Sequence, residues 1–341
     1  MNLYLALGAG ALAAFLASFL LGYVIIPWLH KLKFGQTILD IGPKWHKNKQ
    51  GTPTMGGMLF IIGTLAAFAV VAVTDKLLGG DIIAGNAVDA ATAKVKLFGG
   101  IIMAVAYALV GFTDDYIKVV KKRNLGLTIP QKSVMQILIM GVYLGTMYSR
   151  GATYVYLPFV GNIELGWGSL ILGLAVMYCT VNAVNFTDGV DGLCASVSGV
   201  FSLSIVIIAI LRGAFGVSLF AACLLGALCG YLIWNWNPAK VMMGDFGSMF
   251  LGGAVIAVCY ALDMPWLILF AGVIYVIEFL SDVIQIGYFK ITHGKRIFKM
   301  APIHHHFEMS GWNEKKICCV FSAVNALGGI IAVLLVAFGQ K

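Results

Sequence analysis

The sequence predicts an all-α integral membrane protein with ten transmembrane helices, both termini extracytoplasmic and an active site at the cytoplasmic face. Three observations predict it. Of 341 residues, 60% are hydrophobic and only 11% charged, whereas a soluble globular chain holds about 25% charged residues. Apolar stretches recur along the whole chain at spanning length, which is about 20 residues because only a closed helix satisfies its own backbone in lipid. The few acidic and histidine side chains gather at span ends on one face.

The ten spans fall near residues 4–29, 55–74, 97–113, 131–149, 169–184, 193–211, 217–235, 248–262, 265–289 and 316–338. The first stretch is too long for a cleavable signal peptide and has no basic region before it, so it reads as a retained span. The connection over 75–96 is mixed and polar, with room for a short helix. Residues 151–168 carry β-branched and aromatic residues around a Pro- and Gly-containing turn, the pattern of a small hairpin. The seven cysteines lie in or beside spans without metal-ligand or disulfide spacing and read as small packing residues. With no internal repeat or low-complexity tract, residues 1–341 form one polytopic domain.

Charge sets the orientation. Seventeen of the 23 Lys and Arg residues fall in the connections 30–54, 114–132, 235–247 and 290–316, all on one side. The other side holds Lys76, Lys94, Lys96, Arg150, Arg212 and Lys341. Cytoplasmic loops retain the Lys/Arg excess, so the richer side is cytoplasmic. Most of these cations enforce topology and hold anionic headgroups of membrane lipids; no nucleic-acid partner is expected.

Five aspartates and three consecutive histidines sit on that side. Asp114 and Asp115 end the third span in GFTDDYIK. Adjacent helical positions point about 100° apart, so the two carboxylates are not expected to share one face: one is free for a metal and the other for a second task. Capping or snorkelling at the interface is the competing reading. In NFTDGVDGL (185–193), Asp188 and Asp191 stand three residues apart, with Gly189 and Gly192 allowing tight turning and close approach to a ligand. A purely structural turn would use the same residues. Asp245 lies between two glycines in MGDFGS, open to an ion or phosphate, or serving as helix N-cap, a role Ser248 could equally fill. His304, His305 and His306 in APIHHHFE cannot converge on one zinc ion without severe backbone contortion. Donation to phosphate oxygens is the better reading, with Lys295, Arg296 and Lys299 nearby. Carboxylates without thiolates suit Mg²⁺, which meets substrate phosphates. The set fits phosphoryl transfer to or from a lipid and fits redox chemistry poorly. Lys49, Lys121, Lys122 and Lys132 flank the acidic motifs.

In order, GTPTMGG (51–57), DDYIKVVKKRNLGL (114–127), NAVNFTDGVDGL (182–193), PAKVMMGDFGS (238–248) and APIHHHFE (301–308) resemble the motifs of the phospho-N-acetylmuramoyl-pentapeptide transferases, a branch of the polyprenyl-phosphate N-acetylhexosamine-1-phosphate transferase superfamily. The aspartate motifs are shared across the superfamily; HHHFE followed by Gly311-Trp312 points to the muramoyl-pentapeptide branch. The resemblance implies a Mg²⁺-dependent reaction at the cytoplasmic face of the bacterial plasma membrane. UDP-N-acetylmuramoyl-pentapeptide and undecaprenyl phosphate would give lipid I and UMP for peptidoglycan synthesis. It implies a homodimer of ten-helix bundles, with a bent ninth helix beside a lipid-accessible groove; Pro265 is compatible with that bend. By motif match, Asp245 is the Mg²⁺ ligand and Asp114, Asp115 and Asp188 the other catalytic acids. Lys49, Thr54, Asn185 and His304 to His306 contact phosphates or sugar, and Asp191 and Asn235 face the nucleoside. Two positions depart from the family pattern: Met242 stands where an aromatic is common, and Asp282 where an apolar residue is expected.

Two routes are open, an aspartyl phosphosugar intermediate or direct attack by the lipid phosphate. The second is favoured, because a phosphomonoester with a second pKa of about 6 is largely ionised already. A cation- or proton-coupled transporter is the main competing class, but its acids belong near the bilayer midplane. Transfer of N-acetylglucosamine phosphate is the competitor within the enzyme class.

Overall fold

The computed structural model describes residues 1–32, 51–120 and 126–339. Helices α1 (Leu3–Lys31), α2 (Gly57–Leu77), α3 (Ala90–Val120) and α4 (Ile129–Ser149) precede a hairpin of β1 (Tyr154–Leu157) and β2 (Gly161–Glu164). Then follow α5 (Gly168–Thr187), α6 (Leu193–Leu211), α7 (Phe215–Asn235), α8 (Gly244–Ala261), α9 (Leu267–Phe270), α10 (Val273–Ile291), α11 (Ile303–Glu308) and α12 (Glu314–Phe338). Eight of these helices are long and apolar enough to cross a membrane: α1, α2, α3, α5, α6, α7, α8 and α12. The remaining two expected spans correspond to α4, whose first turns carry Gln131, Lys132 and Gln136, and α10, which carries Glu278, Asp282 and Lys290. The hairpin forms as expected, with Tyr154 opposite Glu164 and Leu157 opposite Gly161. Within 75–96, where the sequence leaves room for a short helix, residues 90–96 are helical as the first turns of α3, which runs unbroken for 31 residues.

The stretch 265–289 is interrupted at Ala271 and Gly272. Helix α9 ends at Phe270, and α10 begins after Gly272. A break frees backbone groups that lipid cannot satisfy. The fully buried Asn325 of α12 supplies partners for them. Its Nδ2 donates to the Ala271 carbonyl at 2.8 Å, and its Oδ1 accepts from the Ile274 N–H at 3.3 Å.

Helices α3 and α8 lie antiparallel at the centre and position the site. Their approach depends on small residues, as in other membrane helix pairs. A Cβ on Gly100 would press on Ala257, and one on Gly111 would overlap the Asp245 carbonyl. Each helix therefore brings its acidic end against the other. At the opposite end of the pair, Lys96 Nζ binds both oxygens of Asp263 at 2.6 and 2.7 Å. A charge so deeply buried is tolerated because it is paired. Side chains such as Leu5, Leu12, Leu16 and Leu20 on α1 remain exposed, a lipid-facing stripe. Cys194, Cys223, Cys259 and Cys318 are buried and unbridged, in keeping with packing roles.

Candidate active site

Three carboxylates meet where α3 ends and α8 begins. Oxygens of Asp114, Asp115 and Asp245 lie within 4.8 Å of one another. The expectation that the neighbouring pair could not share a face is corrected here. The 100° separation describes Cα–Cβ directions, but the Asp245 backbone packs directly on Gly111 and brings a third carboxylate within reach of both. Rotation about the side-chain bonds then brings both to it. The Phe246 N–H donates to Asp115 Oδ2 at 3.1 Å, holding the start of α8 to the end of α3.

Cations fill the space between the acids. Lys118 Nζ stands 2.5 Å from Asp114 Oδ2, 3.1 Å from Asp245 Oδ2 and 3.8 Å from Asp115 Oδ1. Lys132 Nζ reaches Asp245 Oδ2 at 3.1 Å from the first turn of α4. That turn is fixed by a reciprocal capping box between Thr128 and Gln131. The Leu127 N–H also donates to Asp114 Oδ1 at 2.7 Å. Lys118 was absent from the residues singled out by sequence. Its spacing, three and four residues after the two aspartates, was the available signal.

Asn185, in the last turn of α5, donates to Asp245 Oδ1 at 3.0 Å and to Ser248 Oγ at 2.7 Å. Asp245 is in the first turn of α8 and is not its N-cap; Met243 occupies that position without a side-chain cap. Gly244 has φ +73°, and a Cβ there would crowd Asp115 Oδ2 and Thr54 Oγ1. The 51–57 segment is stitched to this turn by backbone bonds from Met242 to Pro53 (2.8 Å), Gly56 to Met242 (2.9 Å) and Gly57 to Met243 (3.1 Å). Thr54 is thus carried to the acidic cluster, and Met242 is clamped through its backbone.

A second group lies beyond the end of α5. His304 Nδ1 is 3.0 Å from Glu278 Oε2, both side chains being buried. Its Nε2 faces Gly189, where any Cβ would overlap the ring. Among the described residues, that nitrogen and Glu278 Oε1 have no hydrogen-bond partner. The three histidines have separate polar partners although the His304 and His305 rings touch, with centroids 4.1 Å apart: His305 Nδ1 is 2.6 Å from Glu308 Oε2, and His306 Nδ1 accepts from the Lys299 N–H at 3.1 Å. Asn185 and Gly189, one helical turn apart, connect the acidic and histidine groups. Asp188 lies between them at the C-cap of α5.

Asp191 and Asn235 are buried and brace loops. Asp191 Oδ2 accepts from Asn237 Nδ2 at 3.2 Å and from the Ala239 N–H at 3.0 Å. Asn235 accepts from the Gly192 N–H at 3.0 Å and donates to the Val241 carbonyl at 2.9 Å. Asp282 is half-buried, one turn beyond Glu278. Lys49, Lys121 and Lys122 lie outside the described residues.

Burial works against protonation of His304, but the Glu278 carboxylate outweighs it and holds the imidazole above its ordinary range. The sign follows: stability from this pair is complete below the unfolded histidine pKa and is lost as pH rises through the raised folded value. Thermal midpoints of detergent-solubilised protein should fall across that alkaline window. Glu278→Gln should remove this slope, whereas identical slopes in both proteins would refute the coupling.

Convergent carboxylates with lysine countercharges at one end of a multi-pass helical bundle define a membrane-embedded transferase of phosphorylated substrates. The family model for glycosyl transferase family 4 matches residues 97–263, spanning the acidic cluster. Signature 1 of the phospho-N-acetylmuramoyl-pentapeptide-transferases matches residues 49–61, the segment stitched against α8. Relatives bearing that name include one from Listeria welshimeri serovar 6b, 41% identical over 340 residues, covering 99% of this chain and 100% of the relative. Another from Bacillus thuringiensis (strain Al Hakam) is 42% identical over 326 residues, covering 94% and 95%. The chain belongs to the phospho-N-acetylmuramoyl-pentapeptide transferase family and is a multi-pass membrane enzyme.

Proposed function

We propose that the protein transfers phospho-N-acetylmuramoyl-pentapeptide from its UDP conjugate to undecaprenyl phosphate, giving lipid I and UMP in peptidoglycan synthesis. The observation that carries this reading is the meeting of Asp114, Asp115 and Asp245 around Lys118, with Lys132 and Asn185 on the rim. The chain acts as a single domain of ten spans with both termini outside, a reading supported by the concentration of basic residues in one set of loops. The homodimer rests on family membership alone.

Hard oxygens this close together are a donor set that fits Mg²⁺. Asp245, with Asp114 and Asp115 beside it, would hold the ion, which when bound supplies Lewis-acid neutralisation of the donor diphosphate. The chain's own groups do the rest. Lys118 and Lys132 offset phosphate charge as the new P–O bond to the lipid phosphate forms and the bond to UMP breaks. Asp114 or Asp115 takes any proton left on the lipid phosphate. Asn185, Thr54, Lys49 and Lys121 orient phosphates or sugar, and Asp188 acts at the turn joining the two groups. His304 offers its unpartnered Nε2 toward the DGVDG turn, while His305 and His306 line the approach. Asp191 and Asn235 shape the nucleoside side through the loops they brace.

The acceptor has a route to this place. An apolar cavity of about 580 Å³ lies between the hairpin, α5, α9 and α10, lined by Cys179, Ala183, Ile268, Tyr275, Phe279 and Leu280. Ala183 lies about 3 Å along the α5 axis from Asn185, so a prenyl chain laid there would bring its phosphate to the depth of the acids.

The test is UMP release by purified protein from the UDP-linked donor, with and without undecaprenyl phosphate, in Mg²⁺ and then in EDTA. Release should require both lipid and metal, and EDTA should suppress it to background. Release with UDP-N-acetylglucosamine alone would move the substrate while keeping the chemistry. Release without lipid would favour a covalent intermediate or hydrolysis.

A further inference from the structure

The central helices carry charge at both ends, and only one end is accounted for by the transferase site. At the other, a cavity of about 500 Å³ opens among the ends of α4, α6 and α8, the start of α3 and the 83–89 turns. It is lined by Lys96, Arg150, Arg212, Asp89 and Asp263, with apolar walls that include Leu97 and Val217. Lys96 and Asp114 are eighteen residues apart on one helix, so this cavity lies about 27 Å from the acidic cluster.

Most of the lining charge is already matched. Lys96 is taken by both oxygens of Asp263 and by the Tyr154 hydroxyl at 3.3 Å. Asp89, exposed at the rim, accepts from the Thr92 N–H at 3.0 Å as α3 begins. The two arginines are different. Arg212 Cζ sits over the Tyr156 ring, 4.0 Å from its centroid, a cation–π contact that anchors the guanidinium. Among the described residues, neither Arg150 nor Arg212 has a carboxylate within ion-pair distance or a side-chain hydrogen-bond acceptor; Arg150 acts on Asp89, and Arg212 on Asp263, only through longer-range attraction. Cations are favoured at helix C-termini, and these residues cap α4 and α6. That preference explains each one singly. It does not explain why both line one cavity, with an aromatic ring against one and a neutralised lysine as floor.

We propose that this cavity binds an anionic phosphoryl group, carried on a phospholipid headgroup or a free phosphate ester, between Arg150 and Arg212. Guanidinium forks match phosphate oxygens bidentately and are lightly hydrated, so they work at a membrane surface. Three cations against two anions leave the lining positive by one charge. The apolar walls and the volume exceed what bare phosphate needs and accept a glycerol-sized body.

The experiment uses the full-length protein in detergent and its Arg150→Gln/Arg212→Gln double variant. Native mass spectrometry after exposure to phosphatidylglycerol or phosphatidylcholine reads the lipid arm. The thermal midpoint in glycerol 1-phosphate reads the free-ester arm. Retention of phosphatidylglycerol over phosphatidylcholine that falls at least fivefold in the variant assigns the site to a lipid headgroup. A midpoint rise with glycerol 1-phosphate in the wild type alone assigns it to the free ester. Equal behaviour of the two proteins in both arms overturns the proposal, as does a wild type that binds neither ligand. UMP release at the wild-type rate verifies that the variant is folded. Should the double variant fail that check, Arg212→Gln alone is read by the same criteria.

Discussion

Asp245→Asn is expected to lower UMP release at least about 10³-fold, or about 4 kcal/mol on the barrier, while leaving the fold intact. The substitution keeps the shape of the side chain, and the amide oxygen can still accept from Asn185. What it removes is the charge on which Lys118 and Lys132 both converge at 3.1 Å, and with it a hard oxygen ligand. Losing a single preorganised electrostatic contact costs about 10²–10³ in rate; losing a metal ligand as well exceeds that. The check is steady-state UMP release under saturating Mg²⁺, alongside a melting curve. A rate within tenfold of wild type, from protein that melts normally, would remove Asp245 from the centre of the reaction.

The parts of this architecture that local composition dictates were legible in the chain. Apolar length located the helices, the turn-rich 151–168 segment announced the hairpin, and the five motifs marked the loops that meet at the site. What escaped depended on residues distant in sequence. The break between α9 and α10 is stabilised by Asn325, more than fifty residues away, whose amide answers the freed backbone groups. The angular argument about Asp114 and Asp115 was sound for an isolated helix. It failed because Asp245 arrives from another helix, close enough to Gly111 that both side chains turn toward it. Likewise, no spacing rule foretells that His304 presses on Gly189 while its two neighbours turn to Glu308 and the Lys299 amide.

Lys118 is the residue that most sharply separates a structural countercharge from a participant. It contacts all three acids, whereas Lys132 contacts only Asp245. If Lys118 merely keeps three carboxylates from repelling one another, Lys118→Met should lower the melting midpoint, and bound Mg²⁺ should restore both stability and rate. If it also meets the phosphates, the two properties separate. With a cation gone, the acids should bind metal more tightly, so half-maximal rate should come at lower Mg²⁺. The maximal rate should nonetheless drop about 10²-fold, or about 2.7 kcal/mol, because no ion on the acids replaces a cation placed to meet charge developing on the phosphates. Lys118→Arg should recover part of that loss, since it keeps the charge but not the compact ammonium. A Mg²⁺ titration of UMP release on all three proteins reads both quantities. A full maximal rate for the methionine variant at high Mg²⁺ would assign the lysine to holding the acids apart and nothing more.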